Sequence, residues 1–99
     1  MLNIVKNIEN GNADIVLEGR LDTVTAPELE GVFKETLEDV SKLTLDFEKL
    51  EYVSSAGLRV LLSAQKTMDR QGTMKVTHVA DIILEIFDVT GFTDILTIE

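Results

Sequence analysis

The sequence predicts one α/β domain, a mixed and largely parallel sheet of four to five strands with amphipathic helices packed on it. Three observations carry this. Stretches with apolar residues at every second position alternate with stretches whose apolar residues recur every three to four. Strands separated by amphipathic helices make parallel crossovers. Between the first two strand-like stretches lies Asn10-Gly11-Asn12, a turn signal that joins antiparallel partners. The chain has 99 residues, room for one hydrophobic core and not two.

The expected order is β-β-α-β-α-β-α-β. Leu2 to Ile8 alternates loosely and reads as a strand, and Asp14 to Glu18 as its return. Thr25-Ala26-Pro27-Glu28 opens a helix. Thr25 is placed to accept a first-turn amide while Glu28 reaches back to the backbone of Thr25, a capping box, and Pro27 is harmless in a first turn. Leu29, Val32, Phe33, Thr36, Leu37 and Val40 then follow at helical spacing, opposite a face of Glu28, Glu30, Lys34, Glu35, Glu38 and Asp39. Lys42 to Phe47 is the next strand, with Leu43, Leu45 and Phe47 on one side, and Glu48 to Val53 reads as a loop. A second helix runs from Ser54 or Ser55 to Gln71-Gly72, with Leu58, Leu61, Leu62 and Met68 as core positions. Met74 to Val79 is a strand that contains His78. Ile82, Ile83, Ile86, Phe87 and Thr90 mark a third helix. Gly91 suits the position just past its end, with Phe92 packing back on Phe87. Ile95 to Ile98 is a last short strand.

Composition removes several function classes. There is no cysteine and one histidine, so disulfide frameworks, thiol chemistry and multi-histidine metal sites are excluded. Eighteen acidic residues against nine basic ones give a net charge of −9, which works against nucleic-acid binding. No apolar run approaches the length of a membrane span, and Met1 to Lys6 lacks the layout of a signal peptide. The expected location is the cytoplasm. A glycine-rich phosphate loop and a Gly-x-Ser-x-Gly elbow are both missing. Asp22, Asp46 and Asp88 are not read as a metal site.

The informative segment is Tyr52-Val53-Ser54-Ser55-Ala56-Gly57-Leu58. It sets two hydroxyls where a helix begins, and a helix N-terminus favours anions through its unpaired amides and partial positive charge. Ser54 and Ser55 therefore either cap the helix or present a site that tolerates a phosphate. Gly57 reads as a small residue for close packing of helix on sheet.

The run from Phe47 through Ser54-Ser55-Ala56-Gly57-Leu58 to Leu62 resembles the signature of STAS-domain anti-sigma factor antagonists. Glu18-Gly19-Arg20-Leu21-Asp22 is similar to the family's turn after the second strand. Phe87-Asp88-Val89-Thr90-Gly91-Phe92 is similar to the end of its third helix. The resemblance implies a STAS-type domain, no enzyme and no cofactor of its own, that binds an anti-sigma factor which is also a serine kinase. It implies phosphorylation at Ser55, reversal by a PP2C-type phosphatase, and a kinase contact at Asp22. Ser54 stands where close family members often carry aspartate, which leaves it a substitute acceptor. The free protein is expected to be a monomer.

At 100° per residue, Ser55, Arg59, Ser63, Lys66 and Arg70 share one stripe of the second helix. That stripe is either a solvated face or a docking surface for an acidic partner. Together with Asp22, Ser54, Ala56 and Gly57 it makes the expected partner-binding set. Two rival readings stand beside this one. In the first, a STAS scaffolding subunit of a stress-sensing or lipid-transport assembly docks its partner without phosphorylation. In the second, a hydrolase uses Ser54 or Ser55, for which the sequence offers no base.

Overall fold

Asn10 and Gly11 take left-handed φ angles of 50° and 80°, the geometry a tight hairpin turn demands. In the computed structural model, which describes residues 2–99, this turn joins β1 (Leu2–Glu9) to β2 (Asn12–Leu21). There follow α1 (Ala26–Thr36), β3 (Lys42–Val53), α2 (Ser55–Gln71), β4 (Thr73–Thr77), α3 (Asp81–Thr90) and a 3₁₀ turn at Phe92–Asp94. The sheet order is β1-β2-β3-β4. The hairpin is antiparallel, and the β2–β3 and β3–β4 pairs are parallel.

Ile15, Leu45 and Val76 lie in one cross-strand row and are fully buried. The next row, Asp14, Thr44 and Lys75, is exposed or half-buried. Period two thus gives the sheet one covered and one open face. Lys6, opposite Ile15 on the covered side, pairs with Glu35 of α1 at 4.0 Å. Ile83 and Phe87 of α3 are fully buried, and the Phe87 ring sits 6.4 Å from that of Phe47. Gly91 ends α3 at φ 82°, and Phe92 stacks back on Phe87 at 6.4 Å, as the sequence predicts.

Several expectations are corrected. Glu48 to Val53 is strand. Phe47, Leu50 and Val53 are all buried at a spacing of three, which hides a period of two. Register shifts between Val16 and Glu18 and between Gly19 and Arg20 absorb the mismatch. Strand β2 is correspondingly longer than Asp14–Glu18. The capping box is absent: the Thr25 hydroxyl donates to the Arg20 carbonyl at 2.8 Å and accepts from the Asp22 amide at 2.9 Å. Helix α1 stops at Thr36, although Leu37 and Val40 beyond it remain buried. Leu62 is half-buried, because its place on the wheel is beside Ser55 and Lys66. His78 lies outside β4, at a left-handed φ of 55°. Ile95–Ile98 contributes one parallel bridge, Val76 to Ile98, rather than a strand.

Candidate functional site

The site grows from the paired ends of β2 and β3. Leu21 and Val53 are register partners, and both are buried. The next residues are Asp22, just past β2, and Ser54, just past β3. The Ser54 amide donates to the Leu21 carbonyl at 2.8 Å. With extended backbone, Ser54 then caps α2, its hydroxyl accepting the Gly57 amide at 3.3 Å. Ser55 is the first residue of the helix and is exposed. The two adjacent serines are distinguished in this way. Ser54 is half-buried and engaged in the cap, and among the described residues no hydrogen bond involves the Ser55 hydroxyl.

Gly57 makes this corner possible. A Cβ on it would lie 2.7 Å from Leu21 Cγ and 3.1 Å from the Leu21 carbonyl oxygen. Leu21 is itself fully buried and has no room to retreat. Gly57 is buried too, and it lets the first turn of α2 sit against the end of β2. Ala56 is half-buried at the rim.

Asp22 holds the other side. Its Oδ1 accepts the amides of Val24 and Thr25 at 3.0 and 3.1 Å and the Thr25 hydroxyl at 3.2 Å. The Ala26 amide donates to the Asp22 carbonyl at 2.8 Å. Asp22, not Thr25, organises the entry to α1. The Thr25 amide, with further help from the Thr25 hydroxyl, the Val24 amide and the Arg20 charge, holds the Asp22 carboxyl below the usual carboxylate range. The sequence expectation gave Asp22 only a contact role. Its turn-holding role was legible in the Asp-x-x-Thr spacing.

Along α2, Ser55, Arg59, Ser63, Lys66 and Arg70 are all exposed, so the stripe exists as a surface. Among the described residues none of its three cations is in an ion pair.

A family model described as "Mlab, STAS domain" matches residues 5–97. The chain belongs to the STAS domain family. It is 30% identical to the anti-sigma-B factor antagonist of Listeria monocytogenes over 101 residues, spanning 96% of this chain and 85% of that one. Its fold is similar to that of an anti-sigma factor antagonist from Mycobacterium paratuberculosis, with TM-score 0.89, 20% identity, and 99% and 85% of the two chains covered. It is also similar to the Bacillus cell fate determinant SpoIIAA in its phosphorylated form, with TM-score 0.75, 15% identity, and 100% and 91% covered. At these identities the two solved structures bear on the fold alone.

Two residues of this STAS domain that line the same corner, Arg20 and Val24, escaped the sequence reading. Arg20 lies 4.5 Å above the Tyr52 ring and 3.9 Å from the Asp22 carboxylate. Its placement follows from the Arg20–Tyr52 pairing, which is visible only once the register shift is known. Val24, beside Asp22, is 81% exposed, an apolar side chain on the site's rim. Asp46, Glu48 and His78 come together elsewhere, on the open side of the sheet. Each offers one ligand atom within 4.8 Å of the others, and His78 Nδ1 lies 3.2 Å from Asp46 Oδ1. They stand about 20–25 Å along β3 from Ser54 and take no part in the corner.

Proposed function

We propose that this STAS domain is an anti-sigma factor antagonist. It binds an anti-sigma factor that is also a serine kinase, and phosphorylation of Ser55 releases it. The observation that carries the reading is the contrast between the serines: Ser55 is exposed on the first turn of α2, and Ser54 is engaged in capping it. The 30% identity to an anti-sigma-B factor antagonist supports the partner class. Asp22, Arg59, Ser63, Lys66 and Arg70 complete the docking surface, and a PP2C-type phosphatase restores the binding form.

The chemistry is electrostatic. A phosphate on Ser55 adds about −1.5 to −2 charges. At a helix N-terminus the free amides and dipole stabilise it, and Arg59 one turn on is within pairing reach. The fold is therefore retained, while bulk and negative charge arrive on the contact surface. Incubation with kinase and ATP, followed by peptide sequencing, is expected to find label on Ser55. Ser55→Ala should bind constitutively. Ser55→Asp should bind weakly while melting close to wild type. Label confined to Ser54, or a Ser55→Asp variant that loses binding only by unfolding, would refute the switch.

A second reading has one observation in its favour. The matching family model is described by the STAS domain and not by a phosphorylation switch, which leaves room for a scaffolding STAS subunit that docks its partner without phosphorylation. Binding left unchanged in Ser55→Asp, with no label after kinase treatment, selects this reading.

A further inference from the structure

The three helices do not present the same kind of outer face. The outward residues of α1 are Glu28, Glu30, Lys34 and Glu35, and the outward stripe of α2 is the serine and basic one already described. Helix α3 differs. Its inward face is Ile83 and Phe87, fully buried. Yet Ile82 and Val89 point outward at 59% and 88% exposure, and Ile86 between them is half-buried. The spacing 82, 86, 89 is a second apolar stripe on a helix that already has one.

This stripe does not stand alone. Strand β4 ends at Thr77, opposite Asp46, so β3 from Phe47 to Val53 has no β4 partner on that side. Helix α3 packs there instead. Tyr52 and the outer residues of α3 then border a shallow, open groove of about 430 Å³, lined by Ile82, Glu85, Ile86, Val89 and Thr90. Tyr52 is two residues before Ser54, and its ring carries Arg20. An apolar surface with an anchored aromatic at its edge is the composition of an interaction site and not of a solvated helix.

Charge decides what fits. Asp81, Glu85 and Asp88 are exposed on α3, and the helix has no basic residue. A second copy of the chain would set these carboxylates against themselves, in a protein of net charge −9. An anionic bilayer would meet the same repulsion. A helix with an apolar ridge and lysine or arginine beside it matches both the stripe and its acidic edge.

We propose that the outer face of α3, together with Tyr52, is a docking surface for an amphipathic partner helix whose apolar ridge is flanked by lysine or arginine. It lies beside the phosphorylation corner but does not rest on phosphorylation. The partner's apolar side chains enter the groove between Tyr52 and Val89, and its cations meet Glu85 and its acidic neighbours.

The test uses the intact protein and short amphipathic peptides. A leucine/lysine peptide should shift the methyl resonances of Ile82, Ile86 and Val89 saturably. The leucine/glutamate peptide of the same pattern should not, nor should a lysine peptide without leucine. Val89→Asp and Ile82→Asp, both at exposed positions, should weaken the leucine/lysine peptide by at least about tenfold, roughly 1.4 kcal/mol, with melting temperature retained. Ser55→Asp should bind it as wild type does, which separates this outcome from that of the switch. Shifts spread over the whole acidic surface, or equal binding of the leucine-free peptide, would overturn the proposal in favour of charge alone. Concentration-dependent shifts without peptide would overturn it in favour of self-association, and shifts induced by phosphatidylglycerol vesicles in favour of a membrane.

Discussion

At Asp22 a single carboxylate holds the turn that carries the chain from β2 into α1. It accepts two amides and a hydroxyl, and these bonds favour the charged form. The sign follows: with the folded value lowered, the contribution of ionisation to stability is complete above the ordinary aspartate value of about 3.9. It is lost as pH falls through the lowered folded value. The Asp22 carboxyl resonance should titrate with a midpoint below about 3.9. The melting-temperature deficit of Asp22→Ala should be full near neutral pH and narrow in acid. A midpoint at or above the ordinary value would remove the turn-holding role. Residue identities at the corner were legible in the sequence because Ser54, Ser55 and Gly57 are adjacent and sit in a known pattern. Arg20 and Val24 were not, since their roles depend on cross-strand neighbours that local spacing does not encode. Thr25 misled for a related reason. Its hydroxyl has a better local offer, from Asp22 and Arg20, than the helix amide.

Among the elements, α2 and β2 meet at a distance set by one absent methyl group. The Leu21 side chain and carbonyl occupy the space where a Gly57 Cβ would stand. Gly57→Val should therefore lower stability by about 1–3 kcal/mol, the usual cost of overpacking. An unchanged denaturation midpoint would show that the helix start moves freely. Element existence was readable from periodicity for all three helices and the hairpin. Boundaries failed where period two was broken. The apolar residues of β3 run 47, 50, 53, and no local rule reads that as strand until the register shifts opposite it are seen. The final strand shrank to a bridge because the amides of Ile95 and Leu96 both bond back to the Phe92 carbonyl.

Over the whole molecule, charge is unevenly placed. The chain is strongly acidic, yet one helix face gathers Ser55, Arg59, Ser63, Lys66 and Arg70, and among the described residues its cations have no acidic partner. Such a patch acts on encounter more than on final affinity. Combining Arg59→Glu, Lys66→Glu and Arg70→Glu should slow association with the proposed anti-sigma factor partner and alter its salt dependence. Equal association rates across a salt series would make the stripe a solvated face only. The same molecule also settles how its sheet ends. In β4, Val76 turns its amide and carbonyl away from β3, and both are taken: the amide donates to Thr97 at 2.8 Å, and the carbonyl accepts from Glu99 at 2.9 Å. Alternate residues of a strand face the same side, so a strand of five residues has few backbone groups on its outer side. The chain's last residues thus act as a hem. They leave little bare backbone on which a stray extended peptide could template itself, and they keep this edge from fraying into fibrous growth.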